Sequence, residues 1–196
     1  MRTRESGMPD AELWESFFDV ERILDALRLT PGIDSVVEFG CGYGTFTLPA
    51  ARRVRQVYAI DIDPQMVAGT KLRAHECGVT NISVEMRDFV SAGSGLPSAS
   101  TDYVMLFNIL HAELPLVLLN EGHRVLKPGG LLGIMHWNYD PKTPRGPSMA
   151  IRPKPEQCAA WAIDAGFQQV SEQIDLPPYH YGFVFAQAHG SAGGQA

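Results

Sequence analysis

The chain has 196 residues, a net charge of −6, 45% apolar residues and 19% charged ones. That length suits one ordinary domain, and the apolar content is enough to bury a core and excludes a globally disordered chain. An acidic surface opposes non-specific contact with polyanions, so a nucleic acid or an anionic membrane would need a concentrated basic patch.

Residues 10–29 read as a helix with an apolar stripe (Leu13, Trp14, Phe17, Ile23, Leu24, Leu27), broken near Asp19. Its aromatic residues either cover a pocket or pack the helix onto the body of the protein, so residues 1–30 form a helical segment that is a candidate lid. From Ser35 onward, strand-like and helix-like segments alternate. Strands are expected at 35–39, 57–60, 82–86, 103–107 and 131–135, several of them continuous apolar runs suited to a sheet covered on both faces. The helix between the second and third strands carries its own punctuation: Asp63 as cap, Pro64 at the first turn and Gly78 past the end. A helix over 116–126 is expected to stop at a tight turn, Pro128-Gly129-Gly130. Residues 141–155 hold five prolines and no acid. Beyond them a helix over 156–165 and two strands, 167–175 and 181–187, complete the pattern, the last two joined closely enough to be antiparallel. Residues 31–188 thus form the main domain, and 189–196 are expected to be an unordered tail. The pattern is α/β, doubly wound.

The longest apolar stretch, 103–110, is far short of the roughly 20 residues a spanning helix needs, and no apolar run follows the basic residues near Met1. A soluble, cytoplasmic protein is expected. Cys41, Cys77 and Cys158 are widely spaced and form no CxxC pair, so reduced thiols and no bound metal are expected.

The most informative stretch is Val36-Val37-Glu38-Phe39-Gly40-Cys41-Gly42-Tyr43-Gly44-Thr45. A buried strand ends in three glycines at alternate positions and enters a helix, at the sheet end where open α/β folds bind ligands. Asp61, 21 residues after Gly40, closes the second strand, where a carboxylate accepts hydrogen bonds from ribose hydroxyls. Asp88 beside Phe89 ends the third strand and offers an acceptor and an apolar face, as an adenine requires; a turn acid beside a core ring is the other reading. The third glycine of a dinucleotide fingerprint would fall at Thr45, which weakens a reading as an NAD-dependent oxidoreductase.

The glycine loop 38–44, Ala59-Ile60-Asp61, Asp88-Phe89, Asn108-Ile109-Leu110-His111 and Leu126-Lys127-Pro128-Gly129-Gly130, in this order, resemble the class I S-adenosylmethionine-dependent methyltransferases and, within them, their broad small-molecule group. The resemblance covers Ser35 to Gln187. It implies a Rossmann-like seven-stranded sheet of order 3-2-1-4-5-7-6 with strand 7 antiparallel, and S-adenosylmethionine as cofactor. It further implies that Glu38 holds the methionyl amino group, that the backbone of Gly40, Cys41, Gly42 and Tyr43 lies against the methionyl portion, and that Asp61 holds the ribose. Ile62 would touch the adenine, with Asp88 at its amino group and Phe89 beside it, and the backbone near Asn108 would meet the methionyl end. A non-catalytic protein that binds S-adenosylmethionine is the reading from another class.

A methyl on a sulfonium is already activated, so a general base is needed only where the acceptor carries a proton of high pKa. His111, after the fourth strand, and His136, at the end of the fifth, are the candidates. Trp137 and Tyr139 are candidate apolar walls, and His180 a candidate substrate contact. Lys142, Arg145, Arg152 and Lys154 put four cations into a stretch without an acid, which is either a solvated loop or a site for an anionic small molecule with Arg145 and Arg152 as its ligands. A small-molecule substrate is expected, with no nucleic acid and no membrane as partner. The sequence does not define an oligomeric state.

Overall fold

A computed structural model describes residues 9–188; the expected tail and the first eight residues of the helical segment lie outside that range. The expected N-terminal helix is two short ones, α1 (Ala11–Glu15) and α2 (Val20–Ala26). Each has its own aspartate cap: Asp10 accepts from the Leu13 N–H and Asp19 from the Arg22 N–H, so the break at Asp19 is a second helix start.

The rest alternates as expected: β1 (Ser35–Phe39), α3 (Thr47–Ala51), β2 (Gln56–Asp61), α4 (Pro64–Glu76), β3 (Ile82–Met86), α5 (Phe89–Ala92), β4 (Thr101–Phe107), α6 (Pro115–Val125), β5 (Leu126–Trp137), α7 (Pro155–Asp164), β6 (Phe167–Gln169), β7 (Ile174–Leu176) and β8 (His180–Gln187). The sheet order is β3-β2-β1-β4-β5-β8-β6, with β7 also paired to β8. This is the expected order with one extra short strand. The expected strand 167–175 splits because Val170 and Ser171 both donate to the Val184 carbonyl while Val184 donates to the Ser171 hydroxyl. The chain bulges there and resumes pairing at Ile174. β5 is longer than expected at both ends: Leu126 already pairs with Thr101, and the Pro-Gly-Gly segment forms an irregularity inside the strand rather than a turn before it.

Alternation along the central strands sends side chains to two cores. Leu106, Ile134 and Phe183 face α6 and α7 with Leu118, Leu119 and Cys158. Met105, Met135 and Val184 face α2 and α3 with Leu24, Leu27 and Ala50. Burial on both faces is why these strands lack a polar side. The parallel β1, β2 and β4 then deliver Phe39, Asp61 and Phe107 to one end of the sheet, and antiparallel pairing places His180 opposite Trp137 and Tyr181 opposite His136 at the same end. No helix of the described residues is long and apolar enough to cross a membrane.

Candidate active site

The glycine loop is held by its neighbours on both sides. The Gly40 and Cys41 N–H groups donate to the Ile60 carbonyl. Gly42 N–H donates to Asp61 Oδ2 at 2.8 Å, and Asp63 N–H to the other oxygen at 2.9 Å. From α4, the Thr70 hydroxyl donates to the Gly42 carbonyl and Arg73 to the Tyr43 carbonyl. At Gly40 the backbone is left-handed (φ 78°), and a Cβ there would stand 2.7 Å from Ile109 Cδ1. A side chain there would be strained by the left-handed backbone and would make Ile109 swing aside. Asp63 is the α4 cap as expected, accepting from Gln65 N–H.

Two acids line this cradle. Glu38 is buried on β1 and accepts a hydrogen bond from the Thr47 hydroxyl at 2.5 Å; burial pushes its carboxyl up to about 8, against the Thr47 bond and with some repulsion from Asp61. Burial also raises Asp61, while its backbone donors pull it down. Asp88 caps α5 through the Val90 and Ser91 N–H groups. Phe89 turns into the core, edge-on to Phe39 at 5.4 Å, so the ring closes the floor of the sheet instead of presenting an open face. Ile62 is half-buried beside Asp61.

At the ends of β4, β5 and β8 the polar groups are of another kind. Asn108 has a left-handed backbone (φ 54°) fixed by its N–H to the Met135 carbonyl. Its side-chain amide is buried with no hydrogen-bond partner among the described residues. His111 Nδ1 lies 3.4 Å from His136 Nε2, with the rings nearly perpendicular. His136 is fully buried, and desolvation, with repulsion from His111, holds its pKa well below the ordinary 6.5. His180, on the other side of the sheet, is equally buried and is held down to about 3 by desolvation and by Arg152.

An aromatic enclosure surrounds His180. Its ring centroid is 4.3 Å from Trp137 and 4.7 Å from Phe18, and Phe17, Phe46 and Tyr179 complete the cluster. Trp14, Phe17 and Phe18 come from the N-terminal segment, which is tied to the glycine loop where Tyr43 donates to the Pro9 carbonyl and to α4 where Arg73 pairs with Glu15. Phe18 and Phe46 carry no sequence signal beyond apolarity, and only the fold brings them together.

The cationic loop departs from expectation. Arg152 is buried, and its guanidinium donates to the carbonyls of Asn138, Asp140, Arg145 and Pro147 and to the Thr143 hydroxyl. Every donor is spent within its own loop, so Arg152 organises the loop and is not available to a substrate anion. Lys154 lies over the Tyr139 ring at 5.3 Å, while Lys142 and Arg145 remain exposed at the rim. Among the described residues, no group of three His, Cys, Asp or Glu is placed to hold a metal ion.

The buried titratable groups give the unliganded protein a pH signature. His136 and His180 fold neutral, so their stability is complete above 6.5 and falls as pH drops towards their folded values, by about 1.4 kcal/mol per pH unit for each histidine. Glu38 works in the opposite sense: its contribution is complete below 4.5 and is lost as pH rises to about 8. Urea unfolding of the unliganded protein should therefore show greatest stability near pH 6.5, and Glu38→Gln should flatten the alkaline side. An optimum unmoved by that substitution would contradict the buried-acid assignment.

A mixed sheet of this order, parallel from β3 to β5 and closed by the antiparallel β8, with a glycine loop after its first strand and an acid at the end of its second, is the Rossmann-like methyltransferase fold. Comparison with known proteins agrees. Residues 36–130 match the methyltransferase domain family. The chain is 36% identical over 137 residues to the nocamycin O-methyltransferase of Saccharothrix syringae, covering 67% of this chain and 48% of that one. It is 30% identical over 162 residues to a ubiquinone biosynthesis O-methyltransferase of Xanthomonas axonopodis pv. citri, covering 72% and 65%. It thus spans about half of the first relative and just under two thirds of the second. A solved S-adenosylmethionine-dependent methyltransferase from Aquifex aeolicus shares the fold, with a TM-score of 0.80 at 24% identity over 91% of this chain and 94% of that one. Residues 36–130 thus carry a methyltransferase domain, and the chain as a whole has the fold seen in S-adenosylmethionine-dependent methyltransferases.

Proposed function

We propose that the protein transfers a methyl group from S-adenosylmethionine to an oxygen of a small molecule. The observation that carries this reading is the cradle at the ends of β1 and β2: a loop of three left-handed glycines, clamped by Asp61 and flanked by the buried Glu38. That donor set suits the cofactor. A buried carboxylate paired with an ammonium regains the charge that burial opposes, so Glu38 would hold the amino group. Asp61 has lone pairs left for ribose hydroxyls beyond its two backbone donors. The backbone of Gly40, Cys41, Gly42 and Tyr43 would line the methionyl portion, with Ile62, Asp88 and Phe89 on the adenine side and Asn108 at the methionyl end. When bound, S-adenosylmethionine supplies a methyl already activated on a sulfonium.

The protein's own task is then to place the acceptor oxygen, exclude water and take up a proton. His136 is too deeply buried to carry charge. His136 Nε2 lies 3.4 Å from His111 Nδ1, so the buried ring positions His111, which would take up the substrate proton. The two relatives named above are both O-methyltransferases, which supports oxygen as the acceptor. The N-terminal segment serves as the lid, with Trp14, Phe17 and Phe18 over Trp137. The expected anion site loses Arg152 to its own loop, and Lys142 and Arg145 stand at the exposed rim outside the enclosure, so the acceptor is read as neutral, with Tyr139 as a wall. A cytosolic setting with unpaired Cys41, Cys77 and Cys158 belongs to the same reading.

Calorimetry with S-adenosylhomocysteine and with NAD tests the cofactor, and transfer of labelled methyl into a panel of hydroxylated aromatic acceptors tests the chemistry. Binding of S-adenosylhomocysteine alone, followed by label in a methoxy product, is expected. NAD binding in its place would overturn the reading, and donor binding without transfer to any acceptor would favour a non-catalytic protein.

A further inference from the structure

Among the described residues, five buried side-chain nitrogen or oxygen atoms without a hydrogen-bond partner stand at one end of the sheet, on its two faces: both amide atoms of Asn108, His136 Nδ1, and both ring nitrogens of His180. They belong to neighbouring strands. Asn108 follows β4 and bonds to Met135 of β5, and Trp137 of β5 pairs with His180 of β8. Unmet buried polar groups cost stability, so such a concentration marks a place where a ligand completes the bonding. The groups are neutral and of mixed sense. An amide presents both donor and acceptor, and so does an uncharged imidazole.

The walls give the ligand's shape. Trp137, Phe17, Phe18 and Tyr179 enclose His180, and Phe18 lies nearly parallel to the imidazole, 4.7 Å away with 30° between the planes. A flat ring on His180 is thus an arrangement this enclosure already holds. The charge of the surroundings narrows the choice further. Arg152 is the cation nearest to hand, yet all its donors are occupied by its loop, and an anion moved into this enclosure would lose water without gaining a partner.

Resting on the methyltransferase reading, we propose that the acceptor is a neutral, planar aromatic or conjugated molecule carrying a hydroxyl beside a carbonyl-type hydrogen-bond acceptor. Its ring replaces that of Phe18 on His180, and the two nitrogens of His180, one donor and one acceptor, read the hydroxyl and carbonyl pair. His180 is then a specificity-determining residue. Its nitrogens stay unmet in the empty protein because they are kept for the substrate.

Three matched probes test this by calorimetry, with and without S-adenosylhomocysteine: 1-hydroxy-2-acetonaphthone, 2-acetonaphthone, which lacks the hydroxyl, and 1-hydroxy-2-naphthoate, which exchanges the ketone for an anion. The hydroxyketone is expected to bind at least tenfold tighter than the other two. His180→Phe should erase that preference, leave S-adenosylhomocysteine affinity unchanged and raise the melting temperature by about 3 °C or more, since two unmet buried groups disappear. His180→Gln restores a donor and an acceptor and should retain most of the preference, which a purely structural histidine would not require. Equal or tighter binding of the naphthoate, binding of no probe, or an unchanged preference in His180→Phe would overturn the proposal. Loss of S-adenosylhomocysteine binding by the folded wild-type protein, with the probe preference intact, would instead overturn the methyltransferase reading and leave this one standing.

Discussion

Asp61→Asn should lower the affinity for S-adenosylhomocysteine by about 100-fold, and more than any other conservative change at the cradle. Asp61 uses one oxygen for Gly42 N–H and the other for Asp63 N–H. An asparagine has only one oxygen, so its NH2 would face one of these two donors, and the loop would lose a charge-assisted bond while gaining a repulsion. Bonds to charged groups contribute about 1.5–3 kcal/mol each, and a hundredfold affinity loss corresponds to about 2.7 kcal/mol. The control is Asp63→Asn. That residue caps α4 only, and asparagine is an equally good cap, so affinity and stability should both stay close to wild type. Calorimetric titration of the two variants separates the roles of two acids only two positions apart; equal losses in both would refute the assignment of Asp61 as the clamp.

The second large effect falls on the rate. The amide of asparagine places a polar atom close to where the Nδ1 of histidine sits but has nothing at Nε2. His111→Asn should therefore keep a contact with His136, now 3.4 Å between ring nitrogens, while removing the proton acceptor. We expect kcat to fall by about 10²- to 10³-fold, the usual contribution of a positioned general base, with S-adenosylhomocysteine affinity within about threefold of wild type. The pH–rate profile of the variant should also lose its acidic limb. His136→Gln retains an atom near Nε2 and should cost less than tenfold if, as proposed, that residue positions the base without holding the proton. If both variants lose the same large factor and keep the wild-type pH profile, the pair is structural.

Which of these features the sequence reveals depends on how local their causes are. The α4 boundaries follow from Asp63, Pro64 and Gly78, each acting within a few residues, and the structure reproduces them. The sheet order followed from the family resemblance, and the buried apolar strands agree with it. The division of β6 from β7 is not local. It depends on Ser171 meeting Val184 thirteen residues away, and nothing in 167–175 taken alone distinguishes one strand from two. The cradle acids were legible because a strand end and a glycine loop fix where they stand. Arg152 was misread for the opposite reason: charge and spacing suggest a ligand for an anion, but its partners are main-chain carbonyls, which no composition reveals. The pairing of His111 with His136 was hidden likewise, since two strand ends had to be adjacent before two separate candidates became one unit.

The loop around Arg152 has a consequence for how such a protein diversifies. Carbonyls of Asn138, Asp140, Arg145 and Pro147 converge on one guanidinium, much as the oxygens of a macrocycle converge on an ion. The segment is shaped from inside by this cation, its own backbone and the side chains of Thr143 and Asp140, while Lys142, Arg145 and Ser148 face outward. Those positions can change identity without moving the Trp137 wall behind them. The rim and the wall are thus independently variable, so the edge that a substrate meets first can drift from basic to neutral or acidic while the enclosure that orients it keeps its form.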